Sequence, residues 1–185
     1  PDVAPDLAHL RVALSDRHAA CVAALEDRLQ CGHVRDCHGD LHLSNFVRHE
    51  GRWLAFDCIE FSSELRFIDT ASDLAFPLMD LDVREHAIYA NQMLNDYLAS
   101  TGDYGLLSVL DFYLLYRTIV RAKVARLSYR DEATDPDAHR RTLLHLALAR
   151  RYLAPGRRPR YTSRTASRAA ANRGLPLASR ARAVS

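Results

Sequence analysis

The chain has 185 residues, 48% of them hydrophobic, and a formal net charge of +2, which suits one domain with a real core. No apolar run approaches the roughly 20 residues needed to cross a bilayer, so a membrane partner is not expected. The opening "PDVAPDLAHL" has neither the basic n-region nor the apolar h-region of a signal peptide.

The four cysteines (21, 31, 37, 58) form no C-x-x-C pair. Cys31, His33, Cys37 and His38 lie close in sequence, but their spacing fits no common structural zinc site. Reduced thiols in a cytoplasmic protein are the expectation. The charge is uneven. Of the 25 basic residues, eight are arginines within 155–185, where no acid occurs, so residues 1–154 carry 17 bases against 23 acids, a net of −6. An acidic body thus bears a basic tail.

Residues 6–30 predict a helix, with Leu7, Leu10, Leu14, Val22, Leu25 and Leu29 marking an apolar face, Pro5 and Asp6 at its start and Gly32 at its end. "HVRDC" reads as a short extended piece. "FVRH" and "RWLAFD" read as two strands joined at Glu50-Gly51, a hairpin signal. Residues 58–67 look irregular. "DTASDLAFPLMDL" starts a helix with Asp69 as cap and Pro77 as a kink or end. "REHAIYANQMLNDYLAS" makes another, ending near Gly102. "YGLLSVLDFYLLYRTIVRAKVARLSYR" is apolar enough in its middle for a central core helix. Pro136 opens a last amphipathic helix through Tyr152, with Leu143, Leu144, Leu146 and Leu148 expected inside. The expected body, 1–154, is mainly α with a small β-hairpin. Residues 155–185 lack periodicity and read as a disordered basic tail, for which nucleic-acid binding is the alternative to a solvated extension.

The chemistry concentrates in "CHGDLHLSNF", 37–46. A loop carries Asp40 and Asn45, and a hairpin then returns the chain to Asp57. The two outer ends of a hairpin meet, so Asn45 and Asp57 should face one point, an oxygen-donor site of the kind that holds magnesium beside phosphates. Asp40, one short loop away, is placed to accept a proton from an attacking hydroxyl. Base, metal amide, hairpin, metal carboxylate is the order of the catalytic half of a kinase-type phosphotransferase. Taken singly, Asp40 and Asn45 read better as loop caps, and Asp57 as the end of a strand; it is their order around the hairpin that points to a site.

"HGDLHLSN" resembles the H-G-D-[LV]-H-x-x-N signature of aminoglycoside phosphotransferases and related small-molecule kinases. "LAFDCIEF" is similar to their strand ending in the magnesium aspartate, and "RFIDTASDLAF" to the downstream helix. The resemblance covers about residues 6–153 and implies the C-terminal lobe of a protein-kinase-like α+β fold, closest to a branch often fused to a P-loop ATPase-like domain. It implies transfer of the γ-phosphate of ATP, with Mg2+, to a small-molecule hydroxyl. Asp40 would be the catalytic base, and Asn45 and Asp57 the metal ligands. His38 would brace the loop and Asp73 would anchor it from the helix. A loop hydrogen bond is the expected role of His42, and Glu60 and Glu64 are candidates for a substrate cleft.

The resemblance also marks what is missing. The seven glycines form neither G-x-G-x-x-G nor G-x-x-x-x-G-K-[ST], and the single lysine, Lys123, lies far downstream of the site. The nucleotide-binding N-lobe is therefore expected elsewhere. The competing readings are a non-catalytic kinase-like scaffold module and a metal-dependent phosphoesterase, whose G-D-x-H piece "HGDLH" also resembles.

Overall fold

The computed structural model describes residues 4–128 and 137–154. The basic tail, 155–185, and Pro136 lie outside the described residues. The elements in chain order are helix α1 (Ala4–Gln30), strand β1 (Val34–Asp36), a 3-10 turn (Leu43–Asn45), strands β2 (Phe46–His49) and β3 (Arg52–Ala55), a one-turn helix α2 (Ser63–Arg66), strand β4 (Phe67–Asp69), helices α3 (Thr70–Val83) and α4 (Ala87–Thr101), a second 3-10 turn (Tyr104–Ser108), and helices α5 (Leu110–Ser128) and α6 (Ala138–Leu153). The chain is mainly helical, as expected, with two small antiparallel sheets.

The β2–β3 hairpin follows from its turn. Glu50 and Gly51 have φ of 49° and 78°, the pair of left-handed residues that a two-residue hairpin loop requires. Phe46 pairs with Ala55 and His49 with Arg52. The strand therefore stops two residues short of Asp57. The region 58–67 is not wholly irregular, because it contains α2 and leads into β4, whose Phe67 pairs with Asp36 of β1.

Helix α3 is the buried axis of the domain. Every residue from Ala71 to Asp80 is buried. It neither ends nor begins at Pro77, which lies within it. α3 packs on α4 and α5, and α5 packs in turn on α1 and α6. Phe76, Met79, Leu94, Leu98, Leu106 and Leu110 fill the main core. The long segment 104–128 is broken, with its first five residues forming a 3-10 turn before α5.

Two apolar stripes depart from expectation. On α1, Leu10 is buried, but Leu7, Val22 and Leu29 are exposed. On α6, Leu146 and Leu148 are buried, whereas Leu143 and Leu144 are exposed. The α6 stripe that faces inward runs through Ala138, Thr142, His145, Ala149 and Tyr152, at helical spacing. Leu146 and Leu148 join that inward face, and Leu143 and Leu144 lie off it.

One polar assembly ties α1 to the rest. Arg28 is 2% exposed. Its guanidinium holds Asp69 at 2.8 and 2.8 Å and Asp103 at 2.8 and 2.9 Å. Burial opposes the charge of Arg28, but the bonds to Asp103 and Asp69 outweigh it and raise its pKa. Asp69 also caps α3 by accepting from the Ala71 N–H, and the His33 ring lies 3.3 Å from Asp103. Removing one partner of such a buried assembly strands the others. Arg28→Met is expected to cost about 3–5 kcal/mol in urea unfolding. A loss below about 1 kcal/mol would mean that the two carboxylates find other partners.

Candidate active site

The loop of interest runs from His38 to Asn45 and lies against α3. Asp73, in the first turn of α3, accepts hydrogen bonds from the backbone N–H groups of His38 (3.1 Å) and Gly39 (2.9 Å). Seven residues on, Asp80 accepts from the N–H of Leu43 (3.0 Å). Two carboxylates on one stripe of a buried helix thus hold the loop at both ends. Asp73 stands where the motif puts its anchor. Asp80 was not singled out in the sequence, although an acid inside the apolar run "FPLMDL" is a readable signal of a buried polar role.

Gly39 has a structural reason to be glycine. Its φ is 84°, and a Cβ there would lie 2.8 Å from the Leu65 carbonyl oxygen and 3.0 Å from Ile59 Cδ1. The loop therefore closes directly on the segment that follows Asp57. Three further bonds seal that closure. The His38 Nε2–H donates to the Phe56 carbonyl at 2.8 Å, the Ile59 N–H donates to the His38 carbonyl at 3.0 Å, and the Phe56 N–H donates to the Asn45 carbonyl at 3.0 Å. Because a carbonyl only accepts, the first bond fixes the His38 proton on Nε2.

These bonds bring the end of the hairpin to the loop. Asn45 is buried, and its side-chain NH2 donates to the Asp40 carbonyl at 3.0 Å. That assigns the amide orientation and leaves its oxygen without a hydrogen-bond partner among the described residues. Asp57 follows Phe56 directly, at φ 61°, and is exposed. Its carboxylate makes no ion pair or hydrogen bond among the described residues. Asp40 is half-buried, and His42 Nε2 lies 3.4 Å from its carboxylate. The hydrogen bond from His42 holds the Asp40 pKa below the ordinary value, against desolvation and with help from Arg121 and His38.

The two acids after the hairpin separate. Glu60 is exposed, whereas Glu64 on α2 lines a cavity of about 350 Å3 together with Ser72, Phe112, Tyr113, Tyr116 and Arg117. Among the described residues no group of three or more His, Cys, Asp and Glu side chains is gathered as for a metal ion. The residues once grouped for zinc have other engagements: His33 with Asp103, the Cys37 thiol with the Ile68 carbonyl, and His38 with Phe56. No described helix is long and apolar enough to cross a membrane.

Comparisons with known proteins say little about activity. No family model matches the chain, and no solved structure matches it. Uncharacterized proteins of Mycobacterium tuberculosis (strains H37Rv and CDC 1551) and of Mycobacterium bovis are each 33% identical to it over 126 residues. The match covers 68% of this chain but 25% of each relative, so the chain corresponds to about a quarter of those proteins.

Gly39→Ala is expected to destabilise the protein by at least about 1–2 kcal/mol, from the left-handed backbone alone, and to speed amide exchange of residues 38–43. Wild-type exchange in that variant would show that the loop can open without cost. The Asp40–His42 contact predicts a pH effect of definite sign. Asp40 has a depressed pKa in the folded protein, so the stability it contributes is present above its unfolded pKa and is lost as pH falls through the lower, folded one. His42→Ala should move the Asp40 titration, followed by carboxyl carbon NMR, to higher pH. An unchanged titration would remove His42 from this role.

Proposed function

We propose that the chain is the C-terminal lobe of an ATP- and magnesium-dependent phosphotransferase, similar to the aminoglycoside phosphotransferases, that acts in the cytoplasm on a small-molecule hydroxyl. The observation that carries this reading is the hydrogen-bonded closure of loop, hairpin end and buried helix. Asp73 fixes the turn at His38–Gly39, and Phe56 bonds to both His38 and Asn45. Asp40, Asn45 and Asp57 therefore come from three points of one knot rather than from unrelated loops.

The donor set fits magnesium. Asn45 offers an uncommitted amide oxygen and Asp57 an exposed, unpaired carboxylate, and magnesium is commonly held by one or two protein oxygens with water and phosphate completing its shell. Bound there, the ion would neutralise charge on the transferring phosphate. Asp40, ionised at neutral pH, would take the proton from the acceptor hydroxyl as its oxygen attacks. His42 and Arg121 keep that carboxylate charged, and His38 and Asp73 position it through the backbone.

A lobe to cover the nucleotide is part of the proposal, supplied by other sequence or by a fused P-loop domain. The hairpin supports it. A two-stranded sheet is marginal alone, yet Trp53, Leu54 and Phe56 on β3 and just beyond it are exposed, at 68%, 42% and 49%, with Phe61 at 85%. Large exposed apolar side chains on both faces of so small a sheet fit a hairpin that is covered by another part of the protein.

The test is a titration of the purified chain with manganese-ATP, followed by electron paramagnetic resonance, together with ATP consumption over a panel of hydroxyl compounds. Weak metal-dependent nucleotide binding, lost in Asp57→Ala and reduced in Asn45→Ala, is expected, with negligible turnover. Binding that ignores Asp57 would overturn the site. Turnover of about 1 per second, a normal kinase rate, that disappears in Asp40→Ala would instead overturn the need for a second lobe.

A further inference from the structure

The cavity beneath α2 contains a charge that the proposed chemistry does not use. Arg117, on α5, is 7% exposed. Its Nε–H donates to the Ser72 carbonyl at 3.2 Å, and its guanidinium lies 4.2 Å over the Phe76 ring and 5.6 Å from the Tyr116 ring. Among the described residues no carboxylate comes within 4.0 Å of it, and its two terminal NH2 groups have no hydrogen-bond partner. A residue more than nine-tenths buried thus lines the cavity with terminal donors that no described residue takes up.

An arginine in this position stays charged, although burial pulls its pKa down. A buried cation without an ion-pair partner is costly, and Asp73 and Asp40 act on Arg117 only from beyond ion-pair distance. Arg28, on the far side of Asp69, shows how this fold satisfies a buried guanidinium, with two bidentate carboxylates. Arg117 has the same fork and an empty space before it.

We propose that this cavity binds a small organic carboxylate on a flat apolar body, with the acid group on Arg117. The shape and walls favour that chemistry. The volume, about 350 Å3, lies in the range of small-molecule sites. Phe112 and Tyr116 stack at 6.2 Å with an angle of 19°, which makes an aromatic wall, and the Tyr113 hydroxyl is already committed to Asp69. The guanidinium fork matches a carboxylate in a two-point contact. A dianionic phosphate fits less well, because only one cation is present and Asp69 and Glu64 also line the space. The inference stands independently of the phosphotransferase reading, and its test contains no ATP.

The probes are phenylacetate, its neutral isostere phenylacetamide, and inorganic phosphate, followed by calorimetry and by thermal melting of the whole chain. Phenylacetate should bind saturably and raise Tm, and phenylacetamide should bind at least about tenfold more weakly, as expected for loss of a charge-assisted pair. Arg117→Met should abolish binding while the unliganded Tm holds or rises, because the substitution removes an unpaired buried charge. A purely structural arginine would instead lower Tm. Tyr116→Ala, at the partly open wall, should fold normally and bind several-fold more weakly. If Arg117→Met does not fold, the acid–amide comparison and Tyr116→Ala decide. Equal binding of acid and amide, tighter binding of phosphate, no saturable binding of phenylacetate, or full binding by Tyr116→Ala would each overturn the proposal.

Discussion

Helix α3 has no face to water over ten residues, and three buried aspartates still serve it, Asp69 as its cap and Asp73 and Asp80 within it. Burying a carboxylate is expensive unless each oxygen is met by a donor. The spacing of four and seven puts all three on one stripe, and the donors arrive from that side: Arg28 and the Ala71 N–H for Asp69, two loop N–H groups for Asp73, and the Leu43 N–H and Arg84 for Asp80. The dependence runs both ways. A tight loop of this length leaves backbone N–H groups with no strand or helix to bond them, and the carboxylates are their partners. The loop conformation and the burial of the helix are therefore one constraint. A change that frees the loop also strands a charge in the core, which is why the geometry around Asp40 is stiff.

The readable and unreadable parts of this fold divide by how local their cause is. The hairpin was legible because Glu50-Gly51 and the flanking alternation are contiguous. α4 was legible because Gly102 caps it in the left-handed conformation. The β1–β4 sheet was not, since each strand has three residues and its partner lies about thirty positions away. Arg28 was equally hidden. It occupies a charged stretch of α1 that reads as a solvated face, and its partners, Asp69 and Asp103, are 41 and 75 residues distant. The exposure of Leu143 and Leu144 was hidden for another reason. Four leucines within six positions suit either side of a helix, and nothing local to them says that Leu146 and Leu148 are the pair that turns inward.

The candidate site shows the same division. The return of the hairpin end to the loop, through the bonds of Phe56 to His38 and Asn45, could be anticipated from the hairpin. What tunes the site residues could not. The hydrogen bond of His42 to Asp40, the nearness of Arg121 and the anchor at Asp80 all depend on how α3 and α5 flank the loop. Arg117 is the clearest instance, because nothing in "LYRTIVRAK" marks one arginine as buried and the other as half-buried.

Asp57 illustrates why a site residue is worth its backbone. A left-handed conformation costs a non-glycine residue about 1–2 kcal/mol, and glycine would adopt it freely. The position is exposed, so no packing demands a side chain there. The flanking bonds, from Phe56 to His38 and Asn45 and from Ile59 to His38, hold the chain on both sides of Asp57 and dictate its φ whatever residue occupies it. Glu50 and Glu85 are exposed acids at positive φ as well; what distinguishes Asp57 is that the chain is hydrogen-bonded on both sides of it to the loop that carries Asp40. That constraint explains the placement: a residue whose backbone is set by its neighbours offers its oxygens in one orientation, without first having to order a loop.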